Sequence, residues 1–317
     1  MRPQPFSLSC VIPTFNEAEH LADFVAALHA EVNSLVSQHE IIVVNDGSRD
    51  HSEEVVQALL TTYPIRYLAL SRNFGKEAAL TAGIDHARGD VVLLIDADFQ
   101  HPLSLIKEML AQWQQGYDMV YGILADRTAE SRIKRIGSRV LYSLLNHSGT
   151  KIVIPAHAGD FRLMDRKVVN ALRALPERNR FMKGLYAWVG FKSVALPFVP
   201  LARVSGQSRF NLRALSNLAL AGITAFTTLP LRVWSIIGSL ISLGAIAYGL
   251  WIALDTFLFG NDVPGWATLS AGLMLFSGIQ LLSIGILGEY LGRVYDEVKH
   301  RPLYLLANDL DHSPLKK

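Results

Sequence analysis

Short apolar runs alternate with amphipathic stretches along the first two hundred residues. Leu8–Pro13, His39–Val44, Ile65–Leu70 and Val91–Ile95 are rich in β-branched residues and bounded by polar ones. That pattern predicts strands buried on both faces, as in a parallel sheet. The intervening segments predict helices ending near Val36, Leu60 and His86, and another over Leu103–Gln115. Tyr117–Ile123 and Phe191–Val199 read as further strands. Strand and helix alternating at short spacing give an α/β fold, with a mostly parallel sheet and helices on both faces.

Each early strand runs into a polar cluster: Asn16/Glu17, Asp46/Ser48, Arg72/Lys76 and Asp96/Asp98. Ser48 or Asp50 is placed to cap the second helix. The carboxyl ends of parallel strands share one edge, where open α/β sheets place their ligands. Asp96 and Asp98 stand at i and i+2, so in extended chain they point the same way. Paired carboxylates without His or Cys suit Mg²⁺ or Mn²⁺ carrying a phosphate substrate. A solvated acidic turn is the plain alternative. The dinucleotide fingerprint G-x-G-x-x-G does not follow the first strand, where Pro13-Thr14-Phe15-Asn16-Glu17 stands instead, and this argues against a nicotinamide oxidoreductase.

Further along, Thr128–Leu145 reads as a helix carrying Arg132, Lys134, Arg135 and Arg139, with a loop over Thr150–His157. Asn211–Leu229 is amphipathic, fitting either a membrane interface or an ordinary core. Val233–Phe259 and Trp266–Leu287 each reach the roughly 20 apolar residues that a bilayer crossing takes. Lys and Arg flank the pair and are missing from its join, Gly260–Gly265, which by the positive-inside rule puts both flanks in the cytoplasm. The expected layout is a catalytic domain over 1–207, an interfacial segment over 208–231, a two-helix transmembrane hairpin over 232–289 and a juxtamembrane tail over 290–317. The expected location is the bacterial inner membrane, multi-pass, with both termini and the catalytic domain cytoplasmic.

Composition narrows the partners. The net charge of +2, with no Lys/Arg-rich run, gives no support to nucleic-acid binding. Cys10 is the single cysteine and lies in an apolar run, which excludes a disulfide framework and points to a buried, inert thiol. The first ten residues hold no apolar stretch of the kind a cleaved signal peptide needs.

Several runs together carry a resemblance: Val11–Glu17, Val44–Ser48, Ser71–Gly83, Asp96–Pro102, Gly159–Arg166, Pro176–Gly190 and Gly288–Tyr295. The chain resembles the family 2 glycosyltransferases of GT-A fold, and among them the polyprenyl-phosphate glycosyltransferases. That group includes dolichol-phosphate mannose synthases and bacterial bactoprenol glucosyltransferases. The particular likeness is to the latter, through Ser71–Glu77, Phe181–Gly184 and Asp262–Gly265. The resemblance implies inverting transfer of glucose from UDP-glucose to undecaprenyl phosphate, giving a lipid-linked sugar for surface glycan modification. Another sugar (N-acetylglucosamine, mannose or an aminoarabinose derivative), or a silent nucleotide-sugar-binding membrane module, is the alternative.

On that resemblance Pro13, Asn16, Glu17, Asp46, Ser48, Arg72, Lys76 and Asp96 bind the nucleotide sugar, with Asp46 accepting from the uracil imide. Asp98, with Asp96, holds Mg²⁺ or Mn²⁺, and Asp98 is the direct ligand. Asp160 is a catalytic candidate, as base or positioning group. Positioning is favoured, because a phosphate monoester with a second pKa of about 6 is already largely deprotonated. Arg127, Lys134, Arg139, Arg203 and Arg209 are candidates for the lipid phosphate. Membrane lipid, a homo-oligomeric partner copy and a flippase complete the expected partners.

Overall fold

The computed structural model describes residues 2, 5–125, 158–178, 180–201 and 265–315, with scattered positions between 234 and 258. Strands β1 (Ser7–Thr14), β2 (Gln38–Asn45), β3 (Ile65–Leu70), β4 (Val91–Leu94), β5 (Met119–Leu124), β6 (Ala158–Asp165), β7 (Ser193–Phe198) and β8 (Leu306–Asp311) form one sheet. Their order is β7-β5-β6-β4-β1-β2-β3-β8. Pairs β1–β2, β2–β3, β1–β4 and β5–β7 are parallel, and β4–β6, β5–β6 and β3–β8 are antiparallel, so the sheet is mixed.

Helices α1 (Ala18–Leu35), α2 (Ser52–Leu59), α3 (Lys76–His86), α4 (Leu105–Gln114), α5 (Arg166–Ala174) and α6 (Met182–Trp188) surround it, and α7 (Trp266–Val298) follows. Alternation along β1 makes two cores: Leu8, Cys10 and Ile12 join one cluster with residues of α1 and α4, while Val11 joins the other with residues of α3, α5 and α6. Cys10 is fully buried and burial pushes its thiol above the ordinary range, matching the inert role expected of it. Helix α3 lies so close on β1 that a Cβ at Gly83 would stand 2.1 Å from a methyl of Val11. Pro13 does not end β1: pairing to β4 stops at Val11–Leu94, so the missing N–H falls where β4 has already turned away.

The chain's last described segment returns to the sheet. Residues 306–311 add an antiparallel strand to the edge of β3. Arg66, nearly buried, donates from Nε and Nη2 to Asp309 at 3.0 and 2.7 Å. Behind it, buried Glu40 accepts from Ser9 Oγ, Arg88 N and Ser313 Oγ, at 2.6, 2.8 and 2.6 Å. An Asp309→Ala protein is expected to lose about 2 kcal/mol, the worth of hydrogen bonds to a charged group, as a lowered urea midpoint at unchanged slope. An unchanged midpoint would show that the Arg66–Asp309 pair adds nothing to stability.

Among the described residues, no helix is long and apolar enough to cross a membrane. This overturns the expectation of a multi-pass protein of the bacterial inner membrane and leaves the expected hairpin without confirmation. Helix α7 is long, with Ser277, Gly278, Gln280 and Ser283 along its middle and Glu289, Asp296 and Glu297 in its last turns. The other expected span (233–259), the basic helix (128–145), the loop (150–157) and the amphipathic segment (211–229) lie wholly or largely outside the described residues.

Candidate active site

The loops after β1 and β2 are stitched together by side chains. Asn16 N donates to Ser48 Oγ at 2.9 Å, and Asn16 Oδ1 accepts from Arg49 N at 2.8 Å. Asn16 reaches this position with φ 56°, a left-handed conformation that Asn tolerates better than most residues. Ser48 thus does not cap α2. Asp50 accepts from Ser52 N and Oγ with one oxygen and from Ala18 N with the other, so it anchors the starts of α1 and α2 together.

Asp46 fixes the next loop. Its two oxygens accept from Phe74 N at 2.7 Å and Gly75 N at 2.9 Å. Burial raises its carboxyl pKa above the ordinary range, against the pull of those two amides. Each oxygen keeps a second lone pair, so the expected acceptor role toward a base stays open to it. Gly47, at φ 65°, lets the 72–73 backbone close in; a Cβ there would lie 2.5 Å from Arg72 C. Arg72 is exposed, with its guanidinium 4.1 Å from the centre of the Phe74 ring.

The register of the sheet assembles the charged centre. Antiparallel pairing sets Leu94 opposite Arg162 and Val91 opposite Asp165. Continued two residues past β4, it brings Asp96 to the level of Asp160. Lys76, the first residue of α3, sits between them: Nζ is 2.8 Å from Asp96 and 3.2 Å from Asp160. Burial opposes the ammonium charge, but Asp96 and Asp160 outweigh it and hold Lys76 above its ordinary pKa. Burial likewise opposes the Asp160 charge, and Lys76, Lys183 and Arg162 overcome it, so Asp160 lies below the carboxylate range. Asp160 Oδ1 is buried and makes no hydrogen bond.

Asp98 stands on the turn beyond, its Oδ1 accepting from Gln100 N at 3.1 Å. Phe99 holds that turn at φ 58°, a strained conformation for an aromatic residue, with its ring edge-on to Phe24 at 5.1 Å. His101 packs on Phe161 at 4.7 Å, and its Nδ1 is buried without a partner. Burial lowers the His101 pKa, keeping the imidazole neutral at pH 7. Among the described residues, no set of three or more His, Cys, Asp or Glu is arranged to hold a metal by itself.

Glu77 was not anticipated. It follows Lys76 in the first turn of α3, where an acid reads as an ordinary partner of the helix dipole. Burial, then the Asp160 charge, push its carboxyl up to about 7. With the folded pKa above the ordinary 4.5, the native state holds the extra proton. The associated stability is therefore full below about 4.5 and lost as pH rises through about 7. Wild type should lose stability between pH 5 and 7 relative to Glu77→Gln, by up to about 3 kcal/mol. Parallel stability–pH curves for the two proteins would remove Glu77 from this account.

The structure thus brings Lys76, Asp96 and Asp160 into one cluster, with Asp98 on the adjoining turn. Pro13, Asn16, Glu17, Asp46, Ser48 and Arg72 lie on or beside the same sheet edge. Arg127, Lys134, Arg139, Arg203 and Arg209 are outside the described residues.

A sequence profile described as glycosyl transferase family 2 matches residues 9–173, more than half of the chain and the whole stretch from β1 to Asp160 and beyond. The chain belongs to glycosyl transferase family 2. The transferase is 47% identical over 313 residues to an uncharacterized glycosyltransferase of Synechocystis sp., covering 98% of each chain. It is 44% identical to the bactoprenol glucosyl transferase of Shigella phage SfV, over 95% of this chain and 98% of that one. A prophage bactoprenol glucosyl transferase homolog of Escherichia coli K12 is 44% identical, over 94% and 98%. Among solved structures, glucosyl-3-phosphoglycerate synthase from Mycobacterium tuberculosis with Mn²⁺ and UDP-glucose aligns at 19% identity and TM-score 0.46, over 69% of this chain and 77% of that one. A likeness that weak carries no argument about function here. The family expected from the sequence, and glycosyltransferase activity with it, are borne out.

Proposed function

We propose that the transferase moves glucose from UDP-glucose to a polyprenyl phosphate such as undecaprenyl phosphate, with inversion. The supporting observation is the Asp96–Lys76–Asp160 cluster on the ligand-binding edge of a chain 44% identical, over nearly its whole length, to bactoprenol glucosyl transferases. In the reaction the bond from the anomeric carbon to UDP breaks, and a new one forms to a phosphate oxygen of the acceptor. That oxygen is largely deprotonated near neutral pH, since the second pKa of a phosphate monoester is about 6. A strong base is therefore not needed. Asp160, ionised and tied to Lys76, acts as a positioning group and spreads its charge toward the developing positive charge on the sugar.

The donor set also fits a divalent cation. Asp98, on the turn beside the Lys76-bonded Asp96, is the primary candidate ligand by the family's Asp-x-Asp pattern, and Asp160 Oδ1 and His101 Nδ1 nearby are buried polar atoms without partners. One or two carboxylates suffice for Mg²⁺ when substrate phosphates supply the remaining oxygens, which agrees with the lack of a larger protein-only ligand set. A bound Mg²⁺ or Mn²⁺ would neutralise charge on the departing diphosphate. Asn16, Ser48 and Asp46 shape the nucleoside side of the site, with Arg72 at its exposed rim. UDP release that requires both UDP-glucose and undecaprenyl phosphate tests the reading. UDP release that is indifferent to the acceptor would mean donor hydrolysis and overturn it.

A further inference from the structure

Beside the carboxylate cluster lies a cavity of about 200 Å³ whose walls include Tyr121, Arg162, Lys183, Tyr186 and Phe191. Arg162 and Tyr186 are each 2% exposed, so neither is solvated by bulk water. The guanidinium stacks 3.5 Å from the centre of the Tyr186 ring, and its Nη2 donates to Gly159 O at 2.6 Å. Nη1 reaches only Met119 Sδ, at 3.4 Å. Arg162 Nε has no partner, and neither does the Tyr186 hydroxyl. Among the described residues no carboxylate lies within ion-pair distance of Arg162, although the Asp160 charge acts on its guanidinium.

A buried arginine Nε and a buried hydroxyl side by side are not ordinarily both left without a partner, because each is costly to desolvate. The burial is sustained by strand geometry: Arg162 follows Asp160 by two residues on β6, so both face α6, which carries Lys183 and Tyr186. Burial pushes the Tyr186 pKa well up, so the phenol stays a neutral donor at working pH. Planar guanidinium, neutral O–H and ammonium together are a donor set matched to a phosphate oxyanion.

We propose that this cavity seats a phosphate group, with Arg162 and Tyr186 donating to its oxygens and Lys183 adding the second positive charge. The proposal rests on the glucosyl-transfer reading only in supplying two phosphate-bearing substrates, the polyprenyl phosphate and the nucleoside diphosphate. Either source presents the same chemistry, at a place adjacent to Asp160.

Calorimetric titration of the full chain with inorganic phosphate, in EDTA, tests the seat directly. Wild type should bind. Tyr186→Phe keeps the ring under Arg162 and removes one oxygen, and should bind about tenfold more weakly, the loss of one hydrogen bond to a charged group. Lys183→Gln, on the rim of the cavity, should weaken binding as well. Kinetics assign the source. A raised KM for undecaprenyl phosphate alone in both variants gives the seat to the acceptor, whereas a raised KM for UDP-glucose alone gives it to the donor. No phosphate binding by wild type, or equal affinity in all three proteins with both KM values unchanged, overturns the proposal. Phosphate binding that falls in the variants, in a wild type that makes no glucosyl lipid, would leave the seat standing and sink the transfer reading instead.

Discussion

Asp98→Ala is expected to lower kcat about a thousandfold while leaving the protein folded. The estimate is the several kcal/mol that a correctly held divalent cation contributes to a charge-releasing step. Asp98 sits on the turn after β4 rather than in the core, and its Oδ1 accepts from Gln100 N. Asp98→Asn separates the two roles: the amide oxygen can still accept from Gln100 N, but the negative charge is gone. Equal loss in the Ala and Asn proteins, with unchanged melting, would mean that charge is what matters. Near-normal transfer by Asp98→Ala would remove this carboxylate from the reaction, and EDTA should then be without effect too.

Lys76→Met should produce the second large effect, a fall of about a hundredfold in kcat at pH 7 with an altered pH profile. The ammonium is the shared partner of Asp96 and Asp160, at 2.8 and 3.2 Å. Without it two carboxylates face each other in a partly exposed crevice, and like charges so placed raise one another's pKa. Asp160, held low in the wild type, should then take up a proton toward neutrality. The sign follows: the ionised form is lost as pH falls, so activity of the Met protein should climb between pH 6.5 and 9 where wild type is flat. A Met variant with the wild-type profile would show that Lys76 does not set the ionisation of the pair.

Much of this was legible in the chain, for identifiable reasons. Strands β1 to β4 are buried on both faces, so their apolar runs stand out, and short polar loops mark where they end. That alone puts Asn16, Asp46, Lys76, Asp96 and Asp98 on one edge. Strand β6 was not foreseen as a strand, because Asp160, Arg162 and Asp165 break its apolar pattern and its partners β4 and β5 are distant or antiparallel. The Lys76–Asp160 contact depends on that register and so could not be read locally. Strand β8, Leu-Ala-Asn-Asp-Leu-Asp, looks like a solvated tail until Arg66 is seen to bind Asp309. Tyr186 and Arg162 resemble ordinary core and surface residues until their missing partners are noted. The inner-membrane expectation rested on the length and apolar character of two segments and on their Lys/Arg flanks, and the described helices do not support it.

The most direct test of the central claim is transfer of radiolabelled sugar by the purified full chain to undecaprenyl phosphate in detergent. UDP-glucose is set beside UDP-N-acetylglucosamine, UDP-aminoarabinose and GDP-mannose, with Mg²⁺ or Mn²⁺ and an EDTA control. The account predicts a labelled lipid from UDP-glucose that disappears with EDTA and in Asp98→Ala. A labelled lipid from another donor and none from UDP-glucose, or no labelled lipid from any donor, would contradict it.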